Sequence, residues 1–126
     1  MIFDTDVLIC MERGDTKASK LIEETAEHYV SVQTYMEWLQ GAKSRQHAQL
    51  IQNFLKEYDF KILPLTENIG YRASVYIEEY ASVSGIRAGD AIIAATAVEN
   101  SLPLATGNTK HFSPIRDLRL HAFRHS

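Results

Sequence analysis

The chain begins with Met1–Ile9, MIFDTDVLI, in which a short apolar run leads into two aspartates and then into a second apolar run. Aspartate is disfavoured inside β-strands, and a buried charge is costly unless it is paired or bound to a metal. We therefore interpret Met1–Phe3 as the first strand of the fold. Asp4 and Asp6 then stand where this strand ends, which is the first indication of a functional site.

Short apolar runs alternate with longer stretches of helical periodicity along the rest of the chain. The further predicted strands are Tyr29–Val32, Phe60–Leu63, Leu102–Ala105 and, as a last edge strand, Leu118–Phe123. The predicted helices are Lys17–His28, Gln33–Gln40, His47–Lys56, a long helix from a cap at Thr66 to about Ser84, and Ala88–Asn100. Strands that alternate with helices predict an α/β fold whose mainly parallel sheet is covered by helices on both faces.

The size and composition of the chain predict a single globular domain over residues 1–126. Of these residues 45% are hydrophobic and 23% are charged, and the formal net charge is −3. No apolar run approaches the roughly 20 residues needed to cross a bilayer, and no signal peptide is evident. Cys10 is the only cysteine, so an internal disulfide is excluded and the reducing cytoplasm is the expected location.

The negative net charge is not typical of a nucleic-acid-binding protein, whose surface is usually basic. The charge is unevenly distributed, however, because four basic residues stand against one acid from Lys110 onward. Taken alone, this excess is what a solvated surface segment would show.

Three further polar residues stand at junctions between predicted elements, as Asp4 and Asp6 do. Glu37 follows the second strand in SVQTYMEWLQG, Asp90 opens the Ala-rich helix in GIRAGDAIIAATA, and Asn108 follows the fourth strand in LATGNTKHF. Since the carboxyl ends of parallel strands share one edge of the sheet, we expect all of these side chains to lie close together.

Carboxylates brought this close would repel one another and would be partly protonated without a counter-charge. A hard divalent cation removes that conflict, and oxygen ligands with no interleaved His or Cys favour Mg²⁺ or Mn²⁺ over zinc. Taken singly, each residue also has a structural explanation as a helix cap, a surface position or a turn residue. Only their joint placement favours a metal site.

An Asp-x-Asp at the end of a first strand has two enzymatic interpretations. Haloacid-dehalogenase-type phosphatases carry Asp-x-Asp-x-Thr there, but this chain has Leu8 at the last position. Those enzymes also need a Gly-Asp-x-x-x-Asp further along, and here Gly89 and Asp90 are followed by Ala94. The phosphatase interpretation therefore fails, which leaves a nuclease.

Four stretches in order, IFDTDVLI, SVQTYMEWLQG, AGDAIIAATA and PLATGNTKHF, resemble those of PIN domains, and within that superfamily those of the VapC-type ribonuclease toxins of toxin–antitoxin modules. The resemblance covers the chain from Met1 to about Phe123. It implies a PIN-like three-layer sandwich with a central, mainly parallel sheet flanked by helices. It also implies a Mg²⁺-dependent endoribonuclease activity, for which Mn²⁺ could substitute.

The resemblance further implies the roles of individual residues. The acidic positions of the family map onto Asp4, Glu37 and Asp90, which would bind the divalent ion and carry catalysis. Asp6 stands where the family often has Ser or Asn, so it either touches metal-bound water or shapes the turn. The other supporting positions of the family map onto Thr5, Ser31, Thr34, Thr106 and Asn108.

Substrate affinity requires basic groups, because an acidic cluster repels phosphate. The candidates expected near the catalytic edge are Arg87, Lys110, His111 and Arg116. A shallow site suits single-stranded or looped RNA better than a duplex. The resemblance implies a structured RNA, such as tRNA, as one candidate substrate.

Two protein partners are also implied by the resemblance, a cognate antitoxin and a second copy of the chain. Tyr35, Met36 and Trp38 could form an apolar groove for the antitoxin together with the Met11–Gly14 stretch. The tyrosines of the helix after Thr66 could serve a homodimer interface.

Two other functions remain open. One is a PIN-domain ribonuclease of RNA maturation that has no antitoxin, and the other is a non-catalytic RNA-binding or scaffold module. The intact set of Asp4, Glu37 and Asp90 argues against the second of these.

Overall fold

A five-stranded sheet organises the fold in the computed structural model, which describes residues 1–126. The strands are β1 (Ile2–Phe3), β2 (Tyr29–Ser31), β3 (Lys61–Leu63), β4 (Leu104–Thr106) and β5 (Leu120–Ala122), in the order β3-β2-β1-β4-β5. Every neighbouring pair is parallel. All five strands therefore end on one side of the sheet, its carboxyl edge, and begin on the opposite side, its amino edge.

Seven helices connect and cover the strands. They are α1 (Thr5–Glu12), α2 (Thr16–Glu24), α3 (Val32–Gln40), α4 (Arg45–Glu57), α5 (Glu67–Ser84), α6 (Ala88–Glu99) and α7 (Thr109–Phe112). None of them combines the length and the apolar character that crossing a bilayer requires.

The alternation of side chains along each strand divides the interior into two cores. Ile2 and Leu104 face a first core that is completed by α5, α6 and α7. Phe3 and Ala105, the next residues of the same strands, face a second core that is completed by α1 to α4. Because successive strand residues point to opposite faces, the sheet lies between two helical layers, and the predicted three-layer α/β sandwich is confirmed.

The predicted elements are present, with some differences at their ends. The helix predicted to reach His28 stops at Glu24, because Thr25 is extended (φ −88°, ψ 128°) and its hydroxyl donates to the Leu21 carbonyl at 2.6 Å. The four-residue helix α7 was not predicted, since so short a segment carries no periodic signal. The long helix after Thr66 ends as expected at Gly85, whose left-handed conformation (φ 74°) favours glycine.

Trp38 belongs to the second core rather than to the surface. Its side chain is only 3% exposed and packs there with Phe54, at a ring-centroid distance of 5.8 Å. The prediction that Trp38 lines an open groove for an antitoxin is therefore wrong. Met36, two positions before Trp38, is 51% exposed and stays available to a partner.

Candidate active site at the carboxyl edge

Asp4 occupies the junction between β1 and α1 and is held by hydrogen bonds to both carboxylate oxygens. Its Oδ1 caps α1 by accepting from the Thr5 backbone N–H at 2.7 Å. Its Oδ2 accepts from the hydroxyl of Thr106, at the end of β4, at 2.6 Å. Asp4 is only 6% exposed, so the carboxylate is buried between the two central strands.

The surroundings of Asp4 disfavour its negative charge. Burial and, to a smaller extent, the nearby charges of Asp6 and Asp90 raise the pKa of the Asp4 carboxyl to about 7, against the opposing effect of hydrogen bonds from Thr106 and Thr5. An aspartate in ordinary solvent has a pKa of about 4. A positive charge at this position would reverse the effect and hold Asp4 ionised at neutral pH.

Glu37 reaches the same edge from α3. Its Oε1 accepts from the Thr5 hydroxyl at 2.7 Å, and its Oε2 accepts from the Gln33 side-chain amide at 3.1 Å. Thr5 therefore links Glu37 to the Asp4 cap. A Cβ added at Gly89 would lie 2.9 Å from Glu37 Oε2, so the absence of a side chain there lets α6 approach this carboxylate.

Asp90, in the first turn of α6, is connected to Asp4 through the loop after β4. Its Oδ2 lies 3.0 Å from His111 Nδ1, which in turn lies 2.9 Å from the Asn108 side-chain nitrogen. The Asn108 backbone N–H donates to the Thr106 hydroxyl at 3.0 Å. Asp4 and Asp90 therefore contact the same loop, Asp4 through the Thr106 hydroxyl and Asp90 through His111, whose Nδ1 either donates to Asp90 or accepts from the Asn108 amide.

Asp6 closes the site from the side of α1. Its Oδ2 accepts from the Gly107 backbone N–H at 2.9 Å, while its Oδ1 is buried and has no hydrogen-bond partner. Burial raises the pKa of the Asp6 carboxyl, the Gly107 bond opposes that rise, and the charge of Asp90 adds to it. A buried oxygen without a hydrogen-bond partner costs free energy.

The hydroxyl groups expected at the site divide into two kinds. The Thr5 hydroxyl donates to Glu37 and the Thr106 hydroxyl donates to Asp4. Ser31 instead accepts from the Thr34 backbone N–H at 2.9 Å and caps α3. The Thr34 hydroxyl is buried without a hydrogen-bond partner.

The donor set of the site suits a hard divalent cation. Asp4, Asp6, Glu37 and Asp90 form no ion pair with any lysine or arginine, and His111 is their only basic contact. One buried and three partly buried carboxylates without a lysine or arginine partner, together with the unpartnered Asp6 Oδ1, fit an oxygen-liganded Mg²⁺ or Mn²⁺.

The structure does not, however, present a preformed metal centre. No group of three or more His, Cys, Asp or Glu side chains is arranged so that it could hold a metal ion. The carboxylates bind instead to Thr5, Thr106, Gln33 and His111. An ion could share Asp4 and Asp90 only after side chains had turned away from some of these partners.

The expected RNA contacts are only partly found at this edge. Arg87 is the exposed residue before α6, and Lys110 is exposed on α7, next to His111. His111 itself is half-buried against Asp90, so it positions that carboxylate instead of facing solvent.

The prediction that Arg116 lies near the catalytic edge is wrong. Arg116 lines a cavity of about 530 Å³ together with Arg72, Glu99 and Asp117. This cavity is at the carboxyl-terminal end of α6, whereas Asp90 is in its first turn. The physical reason is topological: after α7 the chain must return to the amino edge before β5 can run parallel to β4.

The sequence matches one known family. The pattern of the PIN domain matches residues 1–117. No curated protein sequence matches the chain.

Solved structures with the same fold come from toxin–antitoxin complexes. A chain of a toxin–antitoxin complex from Klebsiella pneumoniae is 32% identical, with 93% of each chain covered and a TM-score of 0.80. VapBC2 from Rickettsia felis, bound to a DNA fragment from its promoter, contains a chain that is 20% identical; 98% of this chain and 100% of that chain are covered, with a TM-score of 0.79.

VapBC-1 from nontypeable Haemophilus influenzae contains a further such chain, 23% identical, with 97% of this chain and 98% of that chain covered and a TM-score of 0.78. At these lower identities the likeness supports the fold alone. The family match over residues 1–117, by contrast, covers almost the whole sequence. The chain therefore belongs to the PIN domain family.

Proposed function

We propose that this protein is a divalent-metal-dependent endoribonuclease that acts in the cytoplasm as the toxin of a toxin–antitoxin pair. The observation that carries the proposal is that Asp4 and Asp90 contact the same loop after β4, Asp4 through the Thr106 hydroxyl and Asp90 through His111 Nδ1. This shared loop brings carboxylates of two distant chain segments to one edge of the sheet, and no lysine or arginine neutralises them. Such an arrangement is costly for stability alone.

Asp4, Glu37 and Asp90 are the residues that would hold Mg²⁺, or Mn²⁺ in its place. The bound ion would supply charge to the scissile phosphodiester and lower the pKa of an attacking water. Hydrogen bonds from Thr106 and Thr5 orient the Asp4 carboxylate. Hydrogen bonds from Thr5 and Gln33 orient the Glu37 carboxylate in the same way, so residues that are not ligands themselves hold these two ligands in place. Either Asp90 or Glu37 can accept the proton of the attacking water.

Ion binding at this edge would compete with one contact above all. His111 lies 3.0 Å from Asp90 Oδ2, so a cation ligated by that oxygen would have to displace the imidazole. His111 would then remain beside Asn108 and close to the ligand set.

The toxin part of the proposal rests on one relative. The chain that is 32% identical to this one comes from a toxin–antitoxin complex of Klebsiella pneumoniae. We therefore propose a cognate antitoxin as partner, with Met36 in its contact surface. A homodimer would use Tyr71 on α5, which is 75% exposed, and not Tyr76, which is buried.

The experiment that tests the activity is cleavage of a labelled RNA by the purified protein in Mg²⁺, in EDTA, and in EDTA followed by excess Mg²⁺. We expect cleavage in the first and third conditions only. Because hydrolysis by an activated water needs no ribose 2′-hydroxyl, a substrate with a 2′-O-methyl group at the cleaved position should still be cut. Equal cleavage in EDTA, or complete protection by the methyl group, would contradict the proposed mechanism.

A further inference from the structure

The segment Phe123–Ser126, which follows β5, lies directly beside the candidate active site. Thr106 and Ala122 are paired in register at the ends of β4 and β5, so the chain leaves β5 at the carboxyl edge. The Phe123 backbone N–H then donates to the Thr106 carbonyl at 2.8 Å. The hydroxyl of the same Thr106 donates to Asp4, which places the segment two contacts from the central carboxylate.

The segment also borders the loop that Asp6 holds. A Cβ added at Gly107 would lie 3.3 Å from the Phe123 carbonyl and 2.9 Å from Asp6 Oδ2. Phe123 and Asp6 thus flank the same glycine. The next residue, Arg124, follows Phe123 at the Cα separation of about 3.8 Å that a trans peptide fixes.

Contacts at both ends hold this segment in place. Phe123 packs against the second core. At the other end, the Ser126 backbone N–H donates to Asp15 Oδ2 at 2.8 Å, and the Ser126 hydroxyl lies 3.1 Å from that of Thr16. Arg124 and His125 are therefore presented on an anchored backbone, which reduces the entropy lost when they bind a ligand.

The charge of Arg124 is not neutralised by an acidic partner, and its place at the carboxyl edge sets it apart from Arg116 and Arg119. Arg124 is exposed and forms no ion pair within the protein. Arg119 donates to the Ser101 carbonyl at the amino edge, and Arg116 lies in the cavity beside Asp117. Of the four basic residues from Lys110 onward, only Lys110 and Arg124 adjoin the carboxyl edge.

We propose that Phe123–Ser126 forms one rim of the RNA-binding site and that Arg124 contacts a phosphate of the bound strand. The inference rests on the proposed function and names an element of its substrate site. A basic side chain near the site is required to bind the RNA phosphates, because the four carboxylates repel them. Arg124 directly follows Phe123, whose carbonyl flanks Gly107 together with Asp6 Oδ2.

The test compares Arg124→Gln with Arg116→Gln, which removes the same charge from an exposed arginine far from the site. Binding of a fluorescein-labelled, mixed-sequence single-stranded RNA is measured by anisotropy in EDTA, over a range of salt concentrations. Losing one phosphate contact should weaken binding about fivefold near 0.1 M salt and should lower the slope of log K against log salt by about 0.7. Thermal unfolding of both variants verifies that each is folded.

We expect Arg124→Gln to show both changes and Arg116→Gln to match the wild type. Equal affinity and equal salt slope for wild type and Arg124→Gln would overturn the inference, as would equal losses in the two variants. The inference also falls if the wild type does not bind RNA in this assay. The proposed function is decided separately, by cleavage in Mg²⁺, so the two failures are distinguishable.

Discussion

Two acidic clusters in this protein differ in whether an arginine neutralises their carboxylates. Near the carboxyl-terminal end of α6, Glu99 and Asp117 share the guanidinium of Arg72, which donates to both of them. The Tyr76 hydroxyl donates to Asp117 as well, at 3.0 Å. At the carboxyl edge, the four carboxylates of Asp4, Asp6, Glu37 and Asp90 have His111 as their only basic contact.

The difference separates an acidic cluster that stabilises the fold from one that does not. The cluster around Arg72 needs nothing from outside, since each of its carboxylates has a cation within hydrogen-bond distance. At the carboxyl edge, burial and like charges raise the pKa of Asp4 to about 7. Such a site is costly in the empty protein and gains free energy when a cation enters.

The largest effect that should separate the two clusters is on cleavage. We expect Asp90→Asn or Asp4→Asn to lower RNA cleavage in Mg²⁺ by at least about 100-fold, the loss typical of removing one preorganised electrostatic group from an active site. Asp117→Asn makes the same chemical change in the paired cluster and should leave cleavage unaffected. Initial rates on one labelled RNA measure all three variants.

The same variants give a readout in cells. Expression of the wild type without its antitoxin should arrest growth, and Asp90→Asn should permit it. Near-normal cleavage by either site variant in Mg²⁺ would show that these carboxylates are not the ligands.

A smaller effect, of opposite sign in the two clusters, is expected on stability. The folded-state pKa of Asp4, about 7, exceeds the value of about 4 in an unfolded chain, so the folded protein binds more protons between these pH values. The free energy of unfolding of the metal-free protein should therefore fall as pH rises from about 4 to above 7, by up to about 4 kcal/mol. Asp4→Asn lacks this ionisation and should be more stable than the wild type at pH 8, with the gain disappearing towards pH 4.

Asp117→Asn should instead be destabilised at pH 8, by about 1–2 kcal/mol, because it weakens charged hydrogen bonds to Arg72. Urea unfolding in EDTA at several pH values measures both variants. If Asp4→Asn were less stable than the wild type at pH 8, the ionised Asp4 carboxylate would not destabilise the metal-free protein, contrary to the argument made here for the carboxyl edge.

The sequence was sufficient to predict where two of the acidic residues lie. Asp4 and Glu37 each follow a strand, and a parallel sheet places such junctions on one edge whatever the details of packing; Asp90 instead opens α6 directly after α5, so its place depends on how these two helices pack. The strands themselves were recognisable because they are short, continuous apolar runs between helical stretches.

Features that depend on the path of the chain could not be predicted in this way. Arg116 and Arg124 are eight residues apart in one basic stretch, and only the position of β5 between them sends one to the amino edge and the other to the carboxyl edge. The contact between His111 and Asp90 depends on α7, a single turn that has no periodic signal. The pattern around Trp38 is the same for a core position and for a groove.

The central claim is that a cation binds at the carboxyl edge and not at the other acidic cluster. Titration of the ¹⁵N-labelled protein with substoichiometric Mn²⁺ tests this directly, because a paramagnetic ion broadens the amide signals of nearby residues. We predict that the signals of Thr5, Gly107 and Asp90 disappear first, while those of Arg72, Glu99 and Asp117 persist. Uniform broadening, or earlier loss of signal around Arg72, would contradict the account.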